Sequence, residues 1–294
     1  MGEEVSERYY ASKQYPLPAD SAETKRLNAQ HRMIINAFEG RHSIAPMSLV
    51  TGDRILESAA GSGIWALEFF DKNQSKDIIL DMQCIDISST QFPSTHPPGM
   101  HFSVNSIVDL PNPEWSDTFS YAHQRLLVTA MNDSLWRSAV SELYRVLKPG
   151  GWVELLEAEA QELTTWSVGP NSAKVAVLVK ALLGANGVIG NLPVYLPQLL
   201  KEAGFVDVSC EERRLSVGGE ACPDAHKIAH VKGYDSEMWR NLWLGVKGPM
   251  GESGGFGVIK TAEEYEELLR AAEGEWRTSK EAYTIFYAIL ARKP

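Results

Sequence analysis

Cysteine is nearly missing from this chain. Cys84, Cys210 and Cys222 are three among 294 residues, an odd number with no CxxC spacing. They do not make a disulfide framework, and a reducing compartment, the cytoplasm, is expected. Long apolar runs are missing too, since none approaches the roughly 20 residues that cross a bilayer. Met1-Gly2-Glu3-Glu4-Val5-Ser6 has neither the cationic nor the apolar region of a signal peptide. A soluble, intracellular chain with no membrane partner is expected. Positive charge is in deficit: 28 Lys and Arg face 38 Asp and Glu, a formal net charge of −10. The basic residues are scattered among acids, which argues against a nucleic-acid partner, because phosphate binding needs them clustered on one face. Metal-ligand spacing is lacking as well. His226 and His230 are four apart, but Lys227 stands where HExxH has its glutamate, so no metal is expected.

What is present is a core-forming composition, 44% hydrophobic, enough for one large domain. Its most informative stretch is Arg54-Ile55-Leu56-Glu57-Ser58-Ala59-Ala60-Gly61-Ser62-Gly63-Ile64-Trp65-Ala66. An apolar run ending in a carboxylate, then a small-residue turn, then an apolar helical pattern reads as strand, tight loop, helix. Gly61 and Gly63 permit positive φ and close approach of a ligand. The segment 61–66 also matches the dinucleotide fingerprint. Charge separates the two cofactors. A pyrophosphate over the helix N-terminus would meet Glu57 as a like charge, whereas the sulfonium and ammonium of S-adenosylmethionine (SAM) are favoured by it. Met82-Gln83-Cys84-Ile85-Asp86 is a second short strand ending in an acid, suited to the two hydroxyls of a ribose.

Along the chain, residues 1–19 form a polar, proline-marked leader and 20–294 a single domain. Asp20-Ser21-Ala22-Glu23 is a capping-box pattern that starts a helix running to Gly40. Strand and helix signals then alternate over 53–57, 64–71, 81–87, 101–104, 117–122, 133–147 and 151–158. This predicts an α/β fold, a parallel sheet with helices on both faces and functional residues beyond the carboxyl ends of the strands. An insertion at about 161–204 carries two helical stretches, 171–183 and 193–203, and a strand follows near 206–213. A second insertion, 223–276, carries Trp239, Trp243 and a Gly-rich loop.

Further segments carry a family resemblance. Glu142-Leu143-Tyr144-Arg145-Val146-Leu147-Lys148-Pro149-Gly150-Gly151-Trp152-Val153-Glu154 resembles the segment before the fifth strand of class I SAM-dependent methyltransferases, and the tail 283–294 resembles their antiparallel last strand. Tyr15-Pro16-Leu17-Pro18-Ala19-Asp20-Ser21-Ala22-Glu23, followed by Arg26-Leu27 and Gln30-His31, resembles the leader of the fungal LaeA-like methyltransferases, which include tailoring enzymes and regulators of secondary metabolism. The resemblance implies a Rossmann-like, seven-stranded, mostly parallel sheet with an antiparallel last strand and helical insertions that vary the substrate pocket. It implies SAM as cofactor and S-adenosylhomocysteine (SAH) as product. Three departures stand within the match: Ala59 for the first loop glycine, Ser106 or Asn105 for the aspartate beside adenine, and Ser120 for the aspartate before the core of the fourth strand.

Candidate cofactor residues follow. Glu57 would accept from the methionine ammonium, or else act as a dipole partner for the next helix. Asp86 would take the ribose, or else cap Ser88-Ser89-Thr90. Ile87 follows it as an apolar contact, Ala59, Gly61 and Gly63 shape the loop, and Ser106 and Ile107 would bracket adenine. Arg26 and Gln30 lie one turn apart and suit the methionine carboxylate, although Arg26 also suits Glu23 as a helix pair. Tyr9, Tyr10 and Tyr15 would make the leader a lid whose ring faces favour a sulfonium. His123, in a segment resembling the family's His-x-Arg, faces the methyl group as a general base or is a structural donor. Glu157, with Glu159, is a candidate for orienting a substrate. Trp166, Tyr195, Trp239 and Trp243, with His226 and His230, would line an aromatic pocket for a flat small molecule. The expected function is SAM-dependent methyl transfer to a small-molecule acceptor, a fungal secondary metabolite. The alternatives are a regulatory subunit acting through protein partners in the nucleus and a SAM-containing enzyme that catalyses a rearrangement; the partner expected beside the small molecule is another protein or a second copy of the chain.

Overall fold

The computed structural model describes residues 17–18, 21–160, 163, 165–218 and 234–294. Within them the alternating pattern folds as α1 (Ser21–Ala37), β1 (Arg54–Ser58), α2 (Ile64–Gln74), β2 (Asp81–Asp86), β3 (Met100–Val104), β4 (Phe119–Arg125), α3 (Asp133–Val146) and β5 (Leu147–Ala158). Then come α4 (Pro170–Ala185), α5 (Leu192–Glu202), β6 (Val206–Ser216), α6 (Ser236–Leu244), α7 (Lys247–Glu252), α8 (Ala262–Thr278) and β7 (Tyr283–Arg292). The seven strands form one sheet in the order β3-β2-β1-β4-β5-β7-β6. Pairings are parallel from β3 to β5, and β7 runs antiparallel between β5 and β6, pairing Leu155 with Ile289 and Glu211 with Ala288.

The period-two alternation of side chains splits the core in two. Ile55 and Tyr121 face α2, where Trp65, Phe69 and Phe70 cover them. Leu56, Ala122 and Leu155 face the opposite way, in the cluster that holds Trp136, Ala139 and Leu143 of α3. Because β1 is central, burial runs through Ile55-Leu56-Glu57-Ser58 on both faces. The chain leaves β1 toward β2 and β3 on one side and later returns to β4 on the other. A crevice opens beyond the carboxyl end of β1 at that reversal, the place where open α/β sheets bind ligands.

Several boundaries differ from expectation. The first helix ends at Ala37 rather than Gly40. β4 runs to Arg125, three residues past the expected end, because its polar His123 and Gln124 are fully buried between neighbouring strands. β5 begins at Leu147, ahead of the Pro149-Gly150-Gly151 turn. Most of the expected leader, with Tyr9, Tyr10 and Tyr15, lies outside the described residues, as do Cys222, His226 and His230.

Candidate functional site

The loop after β1 is made by three left-handed residues, Ala59 (φ 56), Gly61 (φ 52) and Gly63 (φ 71). A Cβ on Gly63 would lie 2.8 Å from the Phe102 ring, so this glycine, the N-cap of α2, is required by packing against β3. At Gly61 a Cβ would meet nothing nearer than Leu27 at 3.5 Å. The Gly61 N–H donates to Asp86 Oδ2 at 2.9 Å and the Ser88 N–H to Asp86 Oδ1 at 3.1 Å. The end of β2 is thereby tied to the loop after β1. Burial pushes the Asp86 carboxyl above its ordinary value, and these backbone donors oppose the shift.

A cavity of about 340 Å³ sits on this loop. Its floor is Ser58 to Ser62, one wall is Asp86, Ile87, Ser88 and Gln91, and another is Asn105 to Val108. The far side is Arg125, Leu126 and Leu127, closed by Ala130, Met131 and Leu135. Of the expected cofactor residues, Ala59, Gly61, Asp86, Ile87, Ser106 and Ile107 are thus brought together. Asp86 and Arg125 are the charged groups among the described lining residues. An orphaned polar group on the floor has another beside it on the next strand. The Ser58 hydroxyl and both amide atoms of Gln124 are buried without partners, and the two residues pair across β1 and β4.

Glu57 and His123 do not line this cavity. Each is 1% exposed, and Glu57 Oε2 lies 2.5 Å from His123 Nδ1. The Trp65 ring is stacked on the imidazole at 3.7 Å. Burial raises the Glu57 carboxyl well above the carboxylate range and pulls His123 down to about 3. The expected general base therefore sits beneath the site, neutral and enclosed, and Glu57 meets the imidazole instead of open ligand space.

Glu157, expected to face a substrate, is fully buried and turned into the backbone. It accepts from the Leu127 N–H at 3.0 Å and the Val128 N–H at 2.9 Å, and burial pushes it up to about 8. It pins the turn after β4, where Leu126 is left-handed (φ 59), and Leu126 and Leu127 line the cavity.

A second cavity, about 80 Å³, adjoins the first and shares Leu27 and Leu126 with it. Leu163, Val179, Leu182 and Leu183 from one insertion and Trp239, Leu242, Trp243 and Val246 from the other make it apolar. Arg26, Gln30, Thr129, Glu159 and Thr284 are its polar lining. Arg26 therefore belongs to the second cavity rather than the first. It holds Glu23 through two bonds of 2.9 and 2.6 Å and Gln30 at 3.0 Å, while Gln30 binds the Tyr234 hydroxyl. Only two of the four expected aromatic residues reach a cavity. Trp166, 1% exposed, packs against Trp239, Trp243 and Trp276 in the core, and the Tyr195 hydroxyl donates to Asp133 Oδ1 at 2.8 Å.

Arg125 was not among the expected site residues, although the His-x-Arg segment contains it. Its Nη1 donates to His31 Nδ1 at 2.8 Å, and His31 Nε2 lies 2.8 Å from Glu68 Oε2. His42 Nε2 reaches the same oxygen at 2.9 Å. His31, His42 and Glu68 bring three potential ligand atoms within 4.8 Å of one another. A guanidinium only donates, so His31 Nδ1 must accept and its proton sits on Nε2, toward Glu68. That tautomer makes the cluster a hydrogen-bonded chain instead of a ligand set.

No family model matches the chain. The N-methyltransferase tcpN of Claviceps purpurea is 32% identical over 210 residues, covering 68% of this chain and 72% of that protein. The N-methyltransferase gliN of Aspergillus fumigatus is 32% identical over 152 residues, 51% of this chain, which spans only about half (52%) of that relative's length. The secondary metabolism regulator laeA of Fusarium oxysporum is 26% identical over an alignment of 303 positions, covering 98% of this chain and 90% of the regulator.

Proposed function

Because this chain belongs to the fungal LaeA-like family of class I SAM-dependent methyltransferases, we propose that the larger cavity takes SAM and that the chain methylates a small-molecule acceptor, a fungal secondary metabolite, at oxygen, nitrogen or sulfur. One observation carries the reading: a cavity at the carboxyl end of β1 that carries Asp86 and Arg125 adjoins a smaller one lined mostly by apolar side chains, with Leu27 and Leu126 common to both. That is a cofactor space joined to an acceptor space. The first lies within the size range of small-molecule sites, roughly 300–1,000 Å³.

The residues present fit the cofactor. Gly61 and Ser88 hold the Asp86 carboxylate, whose remaining lone pairs accept from the ribose hydroxyls. Ile87, apolar yet 48% exposed, and Ile107 take the two faces of adenine, with Asn105 and Ser106 at its polar edge. Ala59 and Gly61 let the backbone approach, and the unpartnered Ser58 hydroxyl offers a further contact on the floor. SAM supplies a methyl group on a sulfonium and leaves as SAH. The protein's part is alignment, because holding nucleophile and methyl in line provides most of the acceleration in such a displacement. Leu126, fixed through Glu157, sets the boundary across which the two meet. Glu159 is the carboxylate among the described residues of the second cavity and can receive the proton that the acceptor loses. Glu57 and His123 support the loop from below.

The described residues from Ser21 onward act as one unit, and the described parts of the insertions shape the acceptor space. No described helix is long and apolar enough to cross a membrane; we place the chain in the cytoplasm or nucleus. The near full-length alignment with a regulator favours one further reading, a subunit that works through a protein partner, or as a homodimer, and uses the same cofactor site. Incubation with SAM and an extract of a producing fungus separates the two. SAH and a product heavier by one methylene support the enzyme; no SAH above background overturns it.

A further inference from the structure

The first cavity has one cation among its described lining residues, and that cation is held from behind. Arg125 stands at the end of β4, across β1 from Asp86 at the end of β2. Behind it run three contacts: Arg125 Nη1 to His31 Nδ1 at 2.8 Å, His31 Nε2 to Glu68 Oε2 at 2.8 Å, and His42 Nε2 to the same oxygen at 2.9 Å. Lys72 closes the outer end, its Nζ 3.4 Å from His42 Nδ1. The chain starts in the cavity and ends at solvent, where Glu68 and Lys72 sit one turn apart on α2. Each link has a fixed direction. The arginine can only donate, so His31 must accept with Nδ1 and donate with Nε2, and Glu68 must accept.

We propose that Glu68 and His31 form a positioning relay that holds the Arg125 guanidinium in the cavity to take the carboxylate of the amino-acid end of the cofactor. The inference rests on reading this cavity as the SAM site, and it assigns an end of the ligand to each side of β1: adenosine toward Asp86, amino acid toward Arg125. Every charged group facing the arginine agrees with that role. Glu68 stabilises the charge that burial disfavours, burial keeps the Glu57 carboxyl above the carboxylate range, and neither enters the cavity, so the cation is left for an incoming anion. His31 is the relay's neutral member. Burial and Arg125 pull it down to about 4, and above that pH its Nδ1 lone pair stays available. Arg26, the sequence's candidate for the same carboxylate, is engaged by Glu23 and lies on the second cavity.

The test compares two ligands that differ in the amino-acid part. SAH has it; 5′-methylthioadenosine keeps the adenosine and lacks the amino and carboxyl groups. Calorimetry on the full chain should show Arg125→Gln binding SAH about ten- to a hundredfold more weakly, the effect of a charge-assisted hydrogen bond, with methylthioadenosine unchanged. Arg125→Lys should recover part of the loss. Glu68→Ala, at the half-exposed outer link in a position suited to a helix, should weaken SAH about two- to tenfold and spare methylthioadenosine, because its loss reaches the ligand only through His31 and Arg125. Parallel weakening of both ligands, or no change in either variant, overturns the relay while leaving the cofactor site standing. If wild-type protein binds neither ligand, the cofactor reading falls and the relay with it.

Discussion

Gly61 and Gly63 serve one loop for different reasons. Gly63 meets Phe102 and its φ of 71 is left-handed, so Gly63→Ala should both clash and strain, costing about 2–4 kcal/mol. Gly61→Ala has room and should cost only about 1 kcal/mol, yet it stands in the cavity floor and should weaken SAH. Melting curves and calorimetry on both variants check this: stability should fall more for Gly63, affinity of the folded protein more for Gly61. Equal effects would mean that the loop glycines share one role. From the sequence both read as loop glycines, since Phe102 arrives from a strand nearly 40 residues away. The same distance hid Arg125. Chemistry drew attention to His123, whereas the fold turns that imidazole under the loop and the next-but-one side chain into the cavity.

At the scale of elements, the turn after β4 depends on β5. Glu157 gives two buried backbone N–H groups their acceptors, so Glu157→Ala leaves both unmet and should cost about 2 kcal/mol or more. It should also loosen Leu126 and thereby turnover. Urea titration showing wild-type stability would contradict the role. The inserted helices divide in the same way. Trp166→Ala should destabilise by about 3–5 kcal/mol, because its ring is locked among three other tryptophans. Trp243→Phe should alter acceptor binding while SAH affinity stays at the wild-type value. Aromatic content alone announced a pocket here. It could not separate lining from core, since that depends on how α4, α6 and α8 pack together.

For the whole molecule, the alternating strand and helix signals were enough to read the parallel part of the sheet, because period-two and helical burial patterns are local; the antiparallel last strand was legible only through the family resemblance of residues 283–294. The second cavity was legible only in Trp239 and Trp243, because the rest of it is assembled from α1, the turn after β4 and both insertions. Buried ionisable groups set a global pH response. His31 and His123 fold with values near 4 and 3, below the ordinary 6.5, so the stability of their neutral forms is present above pH 6.5 and lost as pH falls toward 4. Glu157 is raised to about 8 from 4.5, so its contribution is present below pH 4.5 and lost as pH rises toward 8. The melting temperature should therefore fall from pH 6.5 to pH 8, and Glu157→Gln should flatten that fall. A variant that keeps the wild-type slope would show that another group governs it.

Binding of the adenosyl cofactor in the cavity over the end of β1 turns on Asp86. Calorimetric titration of SAH into wild-type protein and Asp86→Ala tests it most directly. Wild type should bind saturably, and the folded variant should lose about ten- to a hundredfold in affinity, the worth of a charge-assisted hydrogen bond. Wild-type protein that gives no saturable heat, or an Asp86→Ala variant with unchanged affinity, would contradict it.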